Sequence, residues 1–567
     1  MTTLCLKGGR VFDPAHGVDG VVQDIVIQDG RIDALQPNEP AQPRQPADQE
    51  IDCKGCIVMA GAIDLHSHIA GAKVNLSRLM LPEDHRRGID PIALPDNPLM
   101  LPSCGTCAPG TLATGYRYAG MGYTSVFEPA MPATNARHVH MEMGDVPIVD
   151  HGAYVMMGSD ELLLRMLAEG VAPGQLRDYV GWIVSATRSL AVKVVNPGGI
   201  SAFKYNQRKL DVDEPHVHWG VTPRQVVHAL AHAVHELGLP HPLHIHASNL
   251  GVPGNIASTL ATISALEGLP GHLTHVQFHC YGAEGPKKFS SAAQQLIEAV
   301  EANPNITIDI GQVLFCQTVT ASGDTMRQHS NSGLGSPRKW IGADIECEAG
   351  CGIVPFRYRE QSYVNAMQWS IGLELFLRMR DPWRMVLTTD HPNGAPFSSY
   401  PQLIRLLMDK SYRDEHLATL HPDVAAQSPL REITRELSLY EIAILTRAAP
   451  ARLLGLHDRG HLGPGAAADI AVYRTAGDPE AMFNKAAWVL KDGLPVVRDG
   501  VVIAAPVGAV HFAEPDFDAA TIERVIDDYT DRPLGVHKRY AVIGRDELCG
   551  FCGSARLFPT ACAPRSV

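Results

Sequence analysis

Ile57-Val58-Met59-Ala60-Gly61-Ala62-Ile63-Asp64-Leu65-His66-Ser67-His68 decides the fold. The apolar run from Ile57 to Leu65 reads as a buried parallel strand, because strands covered on both faces are continuously hydrophobic. Side chains two apart on a strand point the same way, so His66 and His68 project together from its C-terminal end. Two neutral imidazoles on one face at the mouth of a barrel are a ready pair of metal ligands. Two adjacent core histidines are the plainer reading. It is disfavoured because the rest of the chain supplies further ligands at the ends of further strands.

Outward from this motif the texture changes twice. Before it come short strands and turns: Cys5 to Pro14 is a strand closed by a turn, and Asp24 to Asp33 holds two strands around Asp29-Gly30. Pro37 to Gln49 reads as an exposed loop. The same pattern returns late, with a turn and strand over Leu462 to Tyr473 and hairpin signals at Asp492-Gly493 and Asp499-Gly500. Between them, from Gly61 to Leu456, apolar strands alternate with helical stretches. One helix opens at Thr222-Pro223 with a threonine cap and a first-turn proline, runs to Leu237, and is followed by the strand Pro242 to His246. The expected class is α/β, a TIM-like (β/α)8 metal-dependent hydrolase barrel with a small β-sandwich built from both ends of the chain. Residues 1–60 and 457–515 make the composite sandwich and 61–456 the barrel with long insertions. Residues 516–567, with a helix over Ala519 to Tyr529, make a helical and irregular tail.

Composition narrows the class. A chain of 567 residues with 45% hydrophobic and 19% charged content is an ordinary globular enzyme too large for one core. A net charge of −13 without any Lys/Arg run argues against nucleic acid. No run of about eighteen apolar residues and no signal peptide is evident, so a soluble, cytoplasmic protein without a membrane partner is expected. Twelve cysteines include the pairs Cys53/Cys56, Cys104/Cys107 and Cys549/Cys552 and the wider pair Cys347/Cys351. Such spacings suggest metal or redox chemistry, but no two pairs stand at a zinc-finger interval and none forms a ferredoxin run.

The ligands sit at strand ends. Lys193, in Leu190-Ala191-Val192-Lys193-Val194-Val195, is a lysine inside an apolar strand, where a lone ammonium is costly. Carbamylation by carbon dioxide would make it an anionic ligand able to bridge two metals; Lys204 competes for the role from a less regular stretch. His246 and His275 close two further strands, with His279 the fallback for His275 and His244 lying deeper, where it would orient a ligand. Asp390 closes Met385 to Thr389 and can both touch a metal and accept a proton. The set His66, His68, Lys193, His246, His275 and Asp390 would hold two Zn2+ bridged by a carboxylated lysine, with Asp390 as the catalytic acid and base. The reaction class is metal-assisted hydrolysis of a C–N bond, or its reverse. Asn249, Arg327 and His329 are candidate substrate-binding residues, with Arg357 in a neighbouring loop; solvated loop charges are the plainer reading for the last three.

These motifs, with Gly465-Ala466-Ala467-Ala468-Asp469-Ile470, resemble the amidohydrolase superfamily. Val194-Val195-Asn196-Pro197-Gly198-Gly199, the run from His244 to Asn255 and the run from His272 to His279 resemble the A-type subunits of formylmethanofuran dehydrogenase, a family that includes their counterpart in the bacterial formyltransferase/hydrolase complex. The resemblance spans essentially the whole chain. It implies a binuclear zinc site with a carboxylated lysine, acting on N-formylmethanofuran or a methylofuran within a complex that has B, C and D subunits. Hydrolysis to formate and the free amine, in one-carbon metabolism, is the expected direction. The reverse condensation, hydrolysis of a cyclic amide as in dihydropyrimidinase or hydantoinase, and a metal-free scaffold are the alternatives.

Overall fold

Eight short parallel strands position everything that follows: β1 (Ala62–Asp64), β2 (Tyr123–Pro132), β3 (Asp150–Met156), β4 (Ala191–Val195), β5 (Leu243–His246), β6 (Gly271–Leu273), β7 (Ile306–Asp309) and β8 (Met385–Val386). In the computed structural model, which describes residues 3–37, 47–84, 105–342, 350–530, 538–548 and 555–562, they pair in chain order. The ring closes through a parallel bridge between Ser67 and His391, where the His68 N–H donates to the His391 carbonyl at 2.8 Å. Helices fill the crossovers, among them Thr111–Gly120 before β2, Pro173–Ala186 before β4, Pro223–Glu236 before β5 and Tyr363–Arg378 before β8. This is the TIM-like barrel expected from the alternation. The Pro223–Glu236 helix begins as its sequence demands: the Thr222 hydroxyl accepts from the Gln225 N–H, and the Gln225 side chain accepts from the Thr222 N–H.

The opening motif is two strands and not one. Cys56–Ala60 belongs to a separate nine-stranded sheet, while Ala62–Asp64 enters the barrel. Gly61 makes the change of sheet. Its N–H donates to the Asp469 carbonyl, and a Cβ at this position would collide with the Thr124 side chain. Continuous hydrophobicity cannot reveal that junction, because both segments are buried on both faces.

The nine-stranded sheet joins the chain's two ends. Cys56–Ala60 pairs parallel with Thr3–Asp13 on one side and antiparallel with Ile470–Arg474 on the other. Hairpins extend it in both directions. Asp29-Gly30, Asp492-Gly493 and Asp499-Gly500 all hold positive φ, the geometry of the tight turns that Asp-Gly favours. Part of the segment assigned to this sheet lies elsewhere: β9 (Val510–Glu514) pairs parallel with β3 at His151 and with β10 (Leu557–Ala561), so the tail contributes a strand as well as the helix Ala519–Thr530. No helix among the described residues is long and apolar enough to cross a membrane.

Cys53 and Cys56 are buried in the nine-stranded sheet, and burial pushes the Cys53 thiol up to about 12, so neither is poised as a thiolate ligand. Cys104, Cys347, Cys549 and Cys552 lie outside the described residues. Among the described residues, no cluster with metal-ligand spacing includes a cysteine.

Candidate metal centre

Two clusters of donor atoms meet at the C-terminal mouth of the barrel. In the first, His66 Nε2 lies 3.0 Å and His68 Nε2 3.4 Å from Asp390 Oδ1. In the second, His246, His275 and His279 bring one ring nitrogen each within 4.8 Å of one another. His66, His68, Lys193, His246, His275 and Asp390 all line one cavity of about 900 Å³. The structure thus gathers the six candidate ligands around a single space, with His279 immediately behind it.

Local backbone geometry explains how short strands deliver these groups. His275 and Asp390 leave their strands at φ 38° and 51°, in the left-handed region that is costly for such residues. The His275 N–H donates to Asp309 Oδ1 at 2.9 Å, and Asn393 Nδ2 donates to Asp390 Oδ1 at 2.9 Å, so each turn is tied by a side chain. These turns also end the regular pairing early: β8 stops at Val386 and β6 at Leu273, short of the strand ends read from the sequence.

Carboxylates stand behind the imidazoles. His68 Nδ1 lies 2.9 Å from Glu128 Oε1, and Glu128 Oε2 accepts the N–H groups of Ile69 and Ala70. Burial would raise the Glu128 carboxyl, but His68 and these N–H groups hold it below its ordinary range. The same contest, between burial and the charges of Glu128 and Asp390, leaves His68 raised. Asp390 is held well below the usual carboxylate range, because His275 and His66 outweigh its burial. On the far side of His66, Nδ1 faces His244 Nε2 at 3.0 Å, Asp309 Oδ2 at 3.4 Å and the Thr274 hydroxyl. Asp309 also accepts from Thr388 Oγ1 at 2.6 Å and lies 3.1 Å from His272 Nε2.

The second cluster is left wanting an electrophile. Lys193 Nζ, His246 Nε2, His275 Nδ1 and both ring nitrogens of His279 are buried with no hydrogen-bond partner among the described residues, His246 Nε2 having only the Asp324 carboxylate at 3.6 Å. Each unmet buried polar atom costs about 1–3 kcal/mol, so five in one place are poorly explained by folding alone. Burial pushes the Lys193 amine down to about 7 against the pull of Asp390 and Asp309, and it pushes His246 down too, with His275 and His279 well below the usual histidine value. Three imidazoles pushed towards the neutral form, an amine brought down near neutrality and an ionised carboxylate form a donor set that fits divalent cations.

The remaining candidates divide. Arg327 lines the cavity and donates to the Gly251 carbonyl at 2.9 Å. Asn249, at φ 61°, donates from Nδ2 to Ser258 Oγ and accepts on its carbonyl from Asn255, so it holds the turn after β5 and faces a neighbouring cavity of about 980 Å³. His329 is exposed, its ring between Phe203 and Trp340 and away from the cavity lining; Arg357 is exposed at the end of Gly352–Arg357. The expected loops are not loops here: His329 lies in the helix Thr325–Asn331 and Arg357 ends a strand, and both side chains face outward. Lys204 ends the helix Gly199–Lys204 and pairs with Glu161, outside the cavity. Glu128 and Asp309 were absent from the sequence reading, although each is an acid in an apolar strand, the same signal that singles out Lys193. Lys73 and Tyr358, also in the lining, carried no such signal.

The comparisons agree with this geometry. The amidohydrolase family model matches residues 49–503. The chain is 44% identical over 532 residues to the A-type subunit of the formyltransferase/hydrolase complex Fhc of Methylorubrum extorquens, covering 93% of this chain and 94% of that one. It is 39% identical over 552 residues to protein FwdA of Methanocaldococcus jannaschii, with the same coverage of 93% and 94%. The crystal structure of the FhcABCD complex from Methylorubrum extorquens, solved with methylofuran, contains a chain that superposes with a TM-score of 0.91 at 42% identity, over 99% of this chain and 100% of that one.

Proposed function

This chain belongs to the amidohydrolase family, and on that premise we propose that it hydrolyses the formamide bond of an N-formylmethanofuran or N-formylmethylofuran, releasing formate and the free amine, as the A-type member of a formyltransferase/hydrolase complex with B, C and D partners. The observation that carries this reading is the buried, unpartnered Lys193 amine lining the same cavity as the two ligand clusters. Nucleophilic attack of that neutral amine on carbon dioxide forms an N–C bond and releases a proton, giving a carbamate with two oxygen donors. His66, His68 and Asp390 would hold one cation and His246 and His275 the other, with the Lys193 carbamate between them. Zinc suits a donor set so rich in imidazole. Bound there, the pair would acidify water towards neutrality and stabilise developing negative charge on a carbonyl oxygen.

The chain's own groups then do the proton work. Asp390, an ionised carboxylate in this cavity, takes a proton as water oxygen bonds to the formyl carbon. Asn393 keeps the carboxylate aimed while it does so. As the C–N bond breaks, Asp390 returns the proton to the departing nitrogen, so that formamide and water become formate and amine. Arg327, on the cavity wall, supplies a cation towards the polar part of a long substrate.

The test is metal content together with formate release from the N-formyl substrate, on the full chain purified with its partners. About two zinc per chain and formate release, both lost in His68→Ala, are expected. Turnover of dihydrouracil or a hydantoin without formate release would replace this reading with a cyclic amide hydrolase.

A further inference from the structure

The floor of the metal centre is a string of imidazoles where a barrel of this kind ordinarily packs branched aliphatic side chains. His241 Nδ1 lies 3.0 Å from the Leu453 carbonyl oxygen. His241 Nε2 lies 2.9 Å from His244 Nδ1, and His244 Nε2 lies 3.0 Å from His66 Nδ1. All three rings are buried. Leu453 ends the helical stretch that begins at Leu439, and the last carbonyls of a helix have no N–H of their own to accept from. Proline on both sides of His241, at Pro240 and Pro242, stiffens the backbone that aims its ring.

The order of protons along the string follows from its far end. A carbonyl oxygen only accepts, so His241 must hold a proton on Nδ1. A neutral imidazole carries one such proton, which leaves His241 Nε2 with a bare lone pair. That lone pair requires an N–H from His244 Nδ1, and His244 Nε2 is then bare in its turn. His66 must donate to it from Nδ1. The single ring proton of His66 is therefore fixed on the side away from the cavity, and Nε2, 3.0 Å from Asp390 Oδ1, keeps its lone pair. Thr274 Oγ1 and Asp309 Oδ2, which also face His66 Nδ1, can both accept and favour the same arrangement.

We propose that the Leu453 carbonyl, His241 and His244 form a tautomer relay that fixes the His66 proton on Nδ1 and so presents Nε2 as a ligand. The proposal rests on the reading of His66 as a metal ligand given above. His241 and His244 are positioning residues: they touch neither substrate nor the reacting atoms and act through His66 alone.

Two substitutions of His244 separate this role from packing. In His244→Gln the amide oxygen can take the place of Nε2 and accept from His66 Nδ1; His244→Leu removes that acceptor and leaves His66 Nδ1 only the Thr274 hydroxyl and the longer 3.4 Å approach of Asp309 Oδ2. Zinc affinity, read by chelator competition on the full-length protein with its partners, should fall about ten- to hundred-fold for one of the two ions in His244→Leu. It should stay within about threefold of wild type in His244→Gln, and His241→Leu, one link farther away, should weaken the same ion by less. Equal losses in His244→Leu and His244→Gln, or no loss in either, would overturn the relay and leave His244 a packing residue. Should His244→Leu not fold, unchanged affinity in His241→Leu overturns the relay and a loss spared in His244→Gln sustains it. His68→Ala serves as the control: if it keeps both ions, the proposed metal centre is wrong, whereas loss in His68→Ala alone condemns only the relay.

Discussion

Lys193 stands out in the sequence because nothing about Ala191 to Val195 needs a charge, and its amine is as isolated in the structure as that pattern implies. A buried amine without a partner is a liability to the fold and an asset only to a ligand. Lys193→Met, which keeps the length and removes the nitrogen, should leave the metal-free protein at least as stable as wild type while lowering zinc content and formate release. Reduced stability of the metal-free variant in urea would mean that the amine has a structural partner. The histidines, Lys193 and Asp390 are legible for a common reason: each is a polar group at the end of an apolar run. Glu128 and Asp309 satisfy the same rule, so their roles behind His68 and beside His66 were within reach of the sequence. His279 is different. Its nearness to His246 depends on the left-handed turn at His275, and no local signal announces that turn. His329 and Arg357 show the converse: they read as loop residues, yet one lies in the short helix Thr325–Asn331 and the other ends the strand Gly352–Arg357, elements too short for their sequence to announce the direction they face.

At the scale of elements, the hairpins were readable residue by residue, because Asp-Gly pairs supply the positive φ that tight turns require. What could not be read is that two of these turns, far apart in the chain, meet. The Ala468 N–H donates to the Gly30 carbonyl and the Gly493 N–H to the Ala468 carbonyl. A Cβ on Gly30 would stand 2.7 Å from the Asp492 carbonyl oxygen, whereas Gly55, at a similar φ of 73°, has open space around it. Gly55→Ala should cost about 1 kcal/mol for the backbone alone. Gly30→Ala should cost roughly 1–3 kcal/mol more, for the crowding. Equal shifts in the urea midpoints of the two variants would mean that the turns yield freely. Strand ends were less legible than turns: Met385 to Asp390 and Gly271 to Val276 read as single strands, yet each breaks where the site needs a side chain turned inward.

For the molecule as a whole, the burial of so many imidazoles ties stability to acidity. Away from the metal centre, burial holds His140 down to about 4, despite its contact with the Thr187 carbonyl, and holds His151 down to about 3, with no hydrogen-bond partner for either ring nitrogen among the described residues. The unfolded chain takes up these protons near pH 6.5 and the folded chain refuses them until far lower. Stability is therefore full above about 6.5 and lost as the pH falls, with roughly 3 kcal/mol from His140 alone by pH 4. Urea midpoints measured between pH 4 and 7 should fall less steeply in His140→Leu than in wild type; parallel profiles would sink the assignment. The (β/α)8 class and the union of both chain ends were legible in the sequence, because alternation and turn chemistry survive at any length scale. The crossing at Gly61 was not, since a change of sheet leaves no mark on hydrophobicity. That crossing has a consequence for the protein's birth. Cys56–Ala60 leaves the ribosome long before Ile470–Arg474, the strand that covers its open side. At about 5–20 residues per second, the delay is roughly 20–80 s. For that interval an apolar strand edge next to His66 and His68 stands uncovered on the nascent chain, which makes this the stretch for a ribosome-associated chaperone to shield.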